Sequence, residues 1–299
     1  MANEVTSANA AQAILKLVAS KALPALGPNF VMGPWVNRNY DDVLAQMGDV
    51  INVPIAPNMT TNNIAEGGTV TNQNPTLGNA QVVLNSHREA TFTIINVAQA
   101  LASPSLIDIY MQPAILAVAD QIEADLIGTF PLFTANSVLG TGAAAITEAT
   151  IDSAESALFN ARMNDSIQKY ALVGGTGYSQ LRQIPRFSEE RMVVNNQAIA
   201  NGTVGKLKGV IFARSQKVST LNGNTTNLMF GSDAIVLAMR NLPLIIQGTG
   251  AVSQNISFQN FALRVVMSYN PQVLAQQFTV DALYGVAALR KEFGQQILN

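Results

Sequence analysis

The sequence predicts an α+β fold built around one long helix, and three observations carry that reading. A helical pattern of apolar positions runs from Ser103 to about Gly128, roughly 35 Å at 1.5 Å per residue, which is long for a globular helix. Two strand-like stretches, 49–57 and 81–95, flank a polar connection at 58–80 that has almost no hydrophobic anchor. The last part of the chain, 255–297, reads mostly as strand: ISFQNFALRVVMSY, then AQQFTVDALYGVAALR, both rich in β-branched and aromatic residues.

Taken in order, residues 7–23 place Ala11, Ile14, Leu15 and Val18 at helical spacing before Pro24 ends the helix. This is either a terminal helix on its own core or an arm reaching a partner. Gly27, Pro28, Gly33 and Pro34 around the only tryptophan, Trp35, mark an irregular connection. In DVINVPIAP, 49–57, apolar residues alternate, and Pro54 confines the strand to an edge or a hairpin arm. A connection as long as 58–80 is unusual in a compact domain, so 49–95 reads as a long two-stranded arm that must lean on something.

Ser103 and Pro104 supply an N-cap and a first-turn proline for the long helix. Its apolar stripe is expected to include Leu106, Ile109, Tyr110, Leu116, Ile122, Leu126 and Ile127, with Pro113 bending or splitting it. LGTGAAAIT, 139–147, breaks the pattern and marks a candidate boundary. Thr150 is expected to cap a helix to Ala161, buried through Ile151, Ala154 and Leu158. KYALV, 169–173, then Gly174, Gly175 and Gly177, then a helix from about Tyr178 form a strand, turn, helix unit. Strands are expected at 207–213 and 216–221, with Asn222-Gly223 as a hairpin turn. DAIVLAM, 233–239, is expected as a helix capped by Ser232 and Asp233.

Composition narrows the function. Charged residues are only 12% against about 25% in ordinary domains, while 48% are apolar and 28 Asn, 20 Gln and 20 Thr supply the remaining polarity. Uncharged polar groups pair well across buried contacts, whereas charges must be desolvated. A chain of this kind is expected to hide much of its surface in an assembly. A formal net charge of -2 argues against non-specific nucleic-acid binding through basic clusters. No run of 18 or more apolar residues predicts a spanning helix, and the start MANEV lacks the pattern of a secretory signal, so no membrane association is expected. Zero cysteines exclude disulfides and thiolate chemistry, and a single histidine, His87, excludes a His-His metal pair. No catalytic, cofactor-binding or metal-binding residues are expected, and an enzyme is disfavoured.

Each chemical motif has a bland reading beside it. The 174–177 turn lacks the full dinucleotide pattern and reads as a plain turn, leaving an α/β enzyme with a ligand there as a remote alternative. GTVGKL, 202–207, resembles a shortened phosphate loop but has the wrong glycine spacing and no Ser or Thr after Lys206. His87 beside Arg88 and Glu89 reads as an arm histidine. Asp120, Glu123 and Asp125 read as a solvated or salt-bridged helix face, because only the first two share a side. RQIPRFSEER, with Arg182, Arg186, Glu189, Glu190 and Arg191, is the densest charge cluster and reads as a loop making ionic contacts within or between subunits.

Several strings in order resemble the major capsid (coat) proteins of tailed bacteriophages, especially the coat-protein group of short-tailed phages. These are YDDV at 40–43, GDVINVP at 48–54, ADQIEADL at 119–126, GTVGKLKGVIFARS at 202–215, and DALYGV at 281–286 with Arg290. The resemblance spans most of the chain from about residue 40. It implies the Hong Kong 97-type fold: an N-terminal arm at 1–30 and a peripheral domain within 31–147, which carries an extended β-hairpin loop at 49–95 and a spine helix at 103–128. It further implies an axial α/β domain at 148–270 and strands at 271–299 returning to the peripheral domain. No lysine lies between Lys21 and Lys169, so the extended loop cannot supply the crosslinking lysine of some relatives, and the coat is expected to hold by non-covalent contacts.

The resemblance implies a non-enzymatic shell subunit that self-assembles into pentamers and hexamers of an icosahedral virion capsid enclosing double-stranded DNA without sequence specificity. Assembly is expected in the host bacterial cytoplasm, with a scaffolding protein, a portal and a decoration protein as partners. Expected assembly contacts are Glu66, Gly67, Gly68, Arg88, Arg186, Glu189, Glu190 and Arg191. The joint at 139–142 and the loop around Glu66 are expected to change angle between copies. The alternatives are an encapsulin-type compartment shell and an Asn/Thr-rich surface-layer or binding protein.

Overall fold

A computed structural model describes residues 30–40, 50–57, 59–96, 106–140, 142, 144–184, 203–218, 220–221, 223–246, 250–258 and 261–299. The N-terminal helix expected at 7–23, the capping residues Ser103 and Pro104, and most of the RQIPRFSEER cluster lie outside them.

Helix α1, Leu106–Ile127, is the spine. Met111, Ile115, Val118, Ile122 and Leu126 repeat at steps of three and four, and all are buried. Burial of such side chains stabilises the fold by roughly 1.5–3 kcal/mol each. The expected stripe was rotated at its start: Ile109 and Tyr110 are exposed, because Met111 and Ala114 take the inward positions. Pro113 does not split the helix.

The buried face of α1 packs on an antiparallel sheet, contacting strands β3, Ser86–Ile95, and β12, Ala275–Ala288. The sheet order is β10, Ala251–Phe258, then β11, Phe261–Asn270, then β12, then β3. Strand β9, Ile235–Arg240, joins it by pairing with the far end of β12. The run DAIVLAM is therefore strand from Ile235 on, not helix. Every residue from Ala234 to Met239 is buried, so the run shows no amphipathic period, and partners on β12 decide its conformation.

The second sheet has the order β13, β8, β4, β6, β5, with β7 on β8. Its strands are Gly294–Leu298, Asn224–Gly231, Lys169–Val173, Val210–Arg214, Thr203–Leu207 and Thr220–Leu221, in that order. Among its described strand pairs only β4 and β6 run parallel. The expected strand 207–213 is instead a hairpin, because Lys208 and Gly209 turn with φ of 50° and 84°. Residues 216–217 are turn, while the hairpin turn at Gly223 forms as expected. Helix α2, Glu148–Asn160, packs against β13. Its cap is Thr147, three residues before the expected one, because Thr147 and Thr150 cap each other's backbone reciprocally. Helix α3, Gly175–Leu181, starts directly after β4.

Strands β10 and β11 lie beside β12, held in part by the Arg264–Asp281 pair, while β13 returns to the six-stranded sheet. Gln296 explains the second choice: its buried amide donates to the carbonyls of Phe130 and Phe133 at 2.9 and 3.0 Å. Leu139 and Gly140 are also pinned there. Leu139 exchanges backbone hydrogen bonds with Gln296 and Leu298, and a Cβ at Gly140 would lie 2.2 Å from the Leu298 carbonyl oxygen.

The arm is a separate ribbon of β1, Val50–Ile55, and β2, Gly78–Val83. The stretch 81–95 is thus two strands broken at Leu84 and Asn85, where the chain leaves the ribbon and enters the five-stranded sheet. The ribbon does not stand alone. Ile51, Val53, Val82 and Leu84 form a small core with Val236, Ala238 and Leu289. The crossing needs Gly285, since a Cβ there would lie 2.3 Å from the Val83 carbonyl oxygen. Gly285→Ala is expected to cost about 2 kcal/mol, read as a lower urea midpoint together with protease sensitivity near 56–57.

Candidate functional site

Beyond the ribbon, residues 59–77 are exposed along almost their whole length. Met59, Ile64, Val70 and Leu77 are all exposed, with Val70 at 80%. At the tip Gly67 turns with φ of 81° and the Gly68 N–H donates to the Ala65 carbonyl at 2.9 Å. Glu66, Gly67 and Gly68 are therefore presented together at the outer end of the arm. On the ribbon, the Asn52 side-chain oxygen accepts from the Asn79 and Gln81 amides at 3.2 and 3.1 Å, which leaves an uncharged amide surface.

Arg88 stands apart from this tip. It pairs with Asp125 of α1 at 3.3 Å, and the Tyr284 hydroxyl donates to the same carboxylate at 2.6 Å. Hydrogen bonding to Tyr284 and then to Asp125 raises the Arg88 guanidinium above its usual range. Burial, followed by the hydrogen bond to Asp125, raises Tyr284. The cluster ties β3, α1 and β12 together. Arg186, Glu189, Glu190 and Arg191 lie outside the described residues. Arg182 is described, with its guanidinium 6.0 Å from the Tyr178 ring.

His87 is half exposed at 53%, and its Nε2 lies 3.0 Å from Asp281, whose side chain is 4% exposed. Asp281 also takes Arg264 through two bonds, at 3.1 and 2.5 Å. This is a structural ion cluster between strands. Removing one partner of such a pair leaves the other uncompensated, so Asp281→Ala is expected to lower stability by about 3 kcal/mol, measured by urea unfolding.

The acidic trio of α1 does not form one face. Asp120 pairs with Lys217 at 3.3 Å, Asp125 with Arg88, and Glu123 points inward. The expectation of a solvated or salt-bridged face fails at Glu123, which is 1% exposed. It accepts from the Val31 N–H at 2.8 Å and the Ser215 hydroxyl at 2.6 Å. The signal was readable, since Ala119, Ile122, Glu123 and Leu126 fall at i, i+3, i+4 and i+7 of the buried stripe. Among the described residues no group of three His, Asp or Glu could hold a metal ion, and no helix is long and apolar enough to cross a membrane.

The 174–177 turn packs against the protein at Gly174 and Gly177. The Gly174 N–H donates to the Asn227 side chain at 2.8 Å. A Cβ on Gly177 would meet Ile146, Asn227 and Asn299 at 3.0–3.4 Å, while one on Gly175 would meet nothing within 4 Å.

Burial raises Glu123 above its ordinary 4.5, against the lowering effect of its hydrogen bonds. A raised folded value favours the protonated folded state, so this contribution is full below 4.5 and is lost as pH rises through the folded value. The urea midpoint of the wild type relative to Glu123→Gln is therefore expected to fall as pH rises above about 4.5.

No family model matches the sequence. No curated relative matches it either. The fold does match solved structures over nearly its full length. One from Mycobacterium phage Che8 has a TM-score of 0.63 at 16% identity, covering 90% of this chain and 91% of that chain. The Cyanophage Pam1 capsid asymmetric unit has a TM-score of 0.61 at 11% identity, covering 89% and 91%. The capsid structure of Cyanophage P-SCSP1u has a TM-score of 0.58 at 15% identity, covering 84% of each. This chain has the tailed-phage capsid fold, the Hong Kong 97-type fold. Within that fold, its spine helix and projecting ribbon are elements expected from the sequence resemblance.

Proposed function

We propose that this chain is the major capsid protein of a tailed phage, a structural subunit that assembles into pentamers and hexamers of an icosahedral shell around double-stranded DNA. The observation that carries the reading is the match to phage capsid structures over about nine-tenths of both chains. In this reading α1, the five-stranded sheet and the β1–β2 ribbon form the peripheral domain and extended loop. The six-stranded sheet with α2 and α3 forms the axial domain. Capsid location, assembly in the host cytoplasm, and scaffolding, portal and decoration partners belong to the same proposal.

The chemistry of the exposed arm supports it. Residues 59–77 carry apolar side chains in water with no core of their own, and Glu66 is their one charged residue. Such a segment gains stability only against another surface, and the low charge avoids desolvating ions when it docks. Copies of a chain with formal net charge -2 also repel one another little.

Size-exclusion chromatography with light scattering, then negative-stain imaging, tests the proposal. Closed shells of uniform diameter are expected from the intact chain, with or without added scaffolding protein. Particles carrying protein cargo and no nucleic acid in infected or native cells would favour the compartment-shell alternative. A stable monomer under all these conditions would overturn both. Replacing residues 59–77 by a two-residue turn is expected to leave unfolding unchanged while abolishing stable shells, because Ile55 and Gly78 already face each other across the ribbon.

A further inference from the structure

Residues 30–38 run between the two sheets and touch both. On one side Phe30 meets Phe261 of β11 edge to face at 4.2 Å, and Arg38 lies 4.8 Å over the same ring. Asn37 bridges to β9, its N–H donating to the Ile235 carbonyl while its own carbonyl accepts from the Leu237 N–H. On the other side Trp35, the only tryptophan, stacks on Tyr170 of β4 at 4.7 Å with the rings 15° from parallel. Gly33 makes the path feasible, because a Cβ there would fall 1.5 Å from the Phe30 ring.

One carboxylate holds this junction. Glu123 accepts the Val31 N–H of the segment with one oxygen and the Ser215 hydroxyl, just after β6, with the other. Spine helix, segment and six-stranded sheet therefore converge on a single buried group. The Ser215 N–H in turn donates to the Val173 carbonyl at 3.1 Å, continuing the contact into β4. One turn earlier on α1, Asp120 pairs with Lys217 at 3.3 Å beside the same junction.

A buried carboxylate is a costly way to hold three elements together, since apolar packing of similar volume often stabilises as well or better. What it adds is direction. Two hydrogen bonds from different elements to two oxygens of one planar group restrict the angle between those elements, as apolar contact does not. We propose that residues 30–38 form a clasp, keyed by Glu123, that sets the angle between the two sheets, and that opening it lets identical copies take different angles in a shell. The second clause rests on the shell-subunit reading; the first does not.

Hydrogen exchange with mass spectrometry, read beside Trp35 fluorescence, tests the clasp in Glu123→Ala and in the milder Ser215→Ala. Peptides covering 30–38 are expected to exchange about tenfold faster. Trp35 emission is expected to move to longer wavelength, while peptides from β3, β8 and β12 keep wild-type protection. Unchanged exchange over 30–38 overturns the clasp, and so does a uniform acceleration through both sheets, which marks general destabilisation. If Glu123→Ala does not fold, Ser215→Ala gives the same readout. Imaging of the assembled variants tests the second clause: a spread of particle diameters supports it, and shells as uniform as wild type overturn it. If the wild type forms no shells, the capsid reading falls and takes that clause with it, while the exchange data still decide the clasp.

Discussion

The fourteen residues of β12 need backbone partners on both edges, and meeting that need organises most of the molecule. Along its first part β12 lies between β11 and β3; along its last part β9 takes over where β11 ends. Its side chains do the rest. Phe278 stacks on Phe92 at 5.2 Å beneath α1, Asp281 collects Arg264 and His87, and Tyr284 reaches Asp125 on the spine. Gly285 then has no side chain, and the ribbon crosses there. A strand in this position makes helix, sheet and arm interdependent, so the arm's base is held firmly while its tip is not.

Charge is scarce in this chain, and most of the described charges are committed to internal contacts. Lys169 is nearly buried between Glu155 and Asp165, at 3.0 and 3.3 Å. Burial alone would lower its ammonium, but the two ion pairs outweigh it and raise the group above its usual value. Lys208 is drawn to Glu148 and Asp152 at the first turns of α2, where the helix dipole favours the carboxylates. Amides and hydroxyls cover much of what remains, including the Asn52, Asn79 and Gln81 surface of the ribbon. A surface of that kind can be buried against another subunit without stranding an ion, which is the physical link between composition and the proposed assembly.

The expected angular freedom at 139–142 finds no support in the packing, because Leu139 and Gly140 are locked to β13. On the proposed shell reading, the described places left for copies to differ are the exposed tip and the junction of the sheets. The tip has Gly67 in a left-handed turn with open space around it. The junction has one buried carboxylate, a stacked tryptophan and a short irregular strap. These are the places where few contacts must change for the geometry to change.

By itself the sequence determined the long spine helix, the arm with its unanchored tip, the strand-rich last part and the absence of thiol or His-His chemistry. Each of these rests on local periodicity or on composition, which need no partner to be read. Only the tertiary structure decided that DAIVLAM is strand, that 81–95 divides between two sheets, and that β13 leaves the five-stranded sheet for the six-stranded one. A wholly apolar run has no period to betray its conformation, and a strand's edge partners lie far away in the chain. Glu123 stands between the two cases. Its place on the buried stripe was written in the spacing of α1, but the Val31 and Ser215 donors that make its burial tolerable are each 92 residues away, and only folding brings them to it.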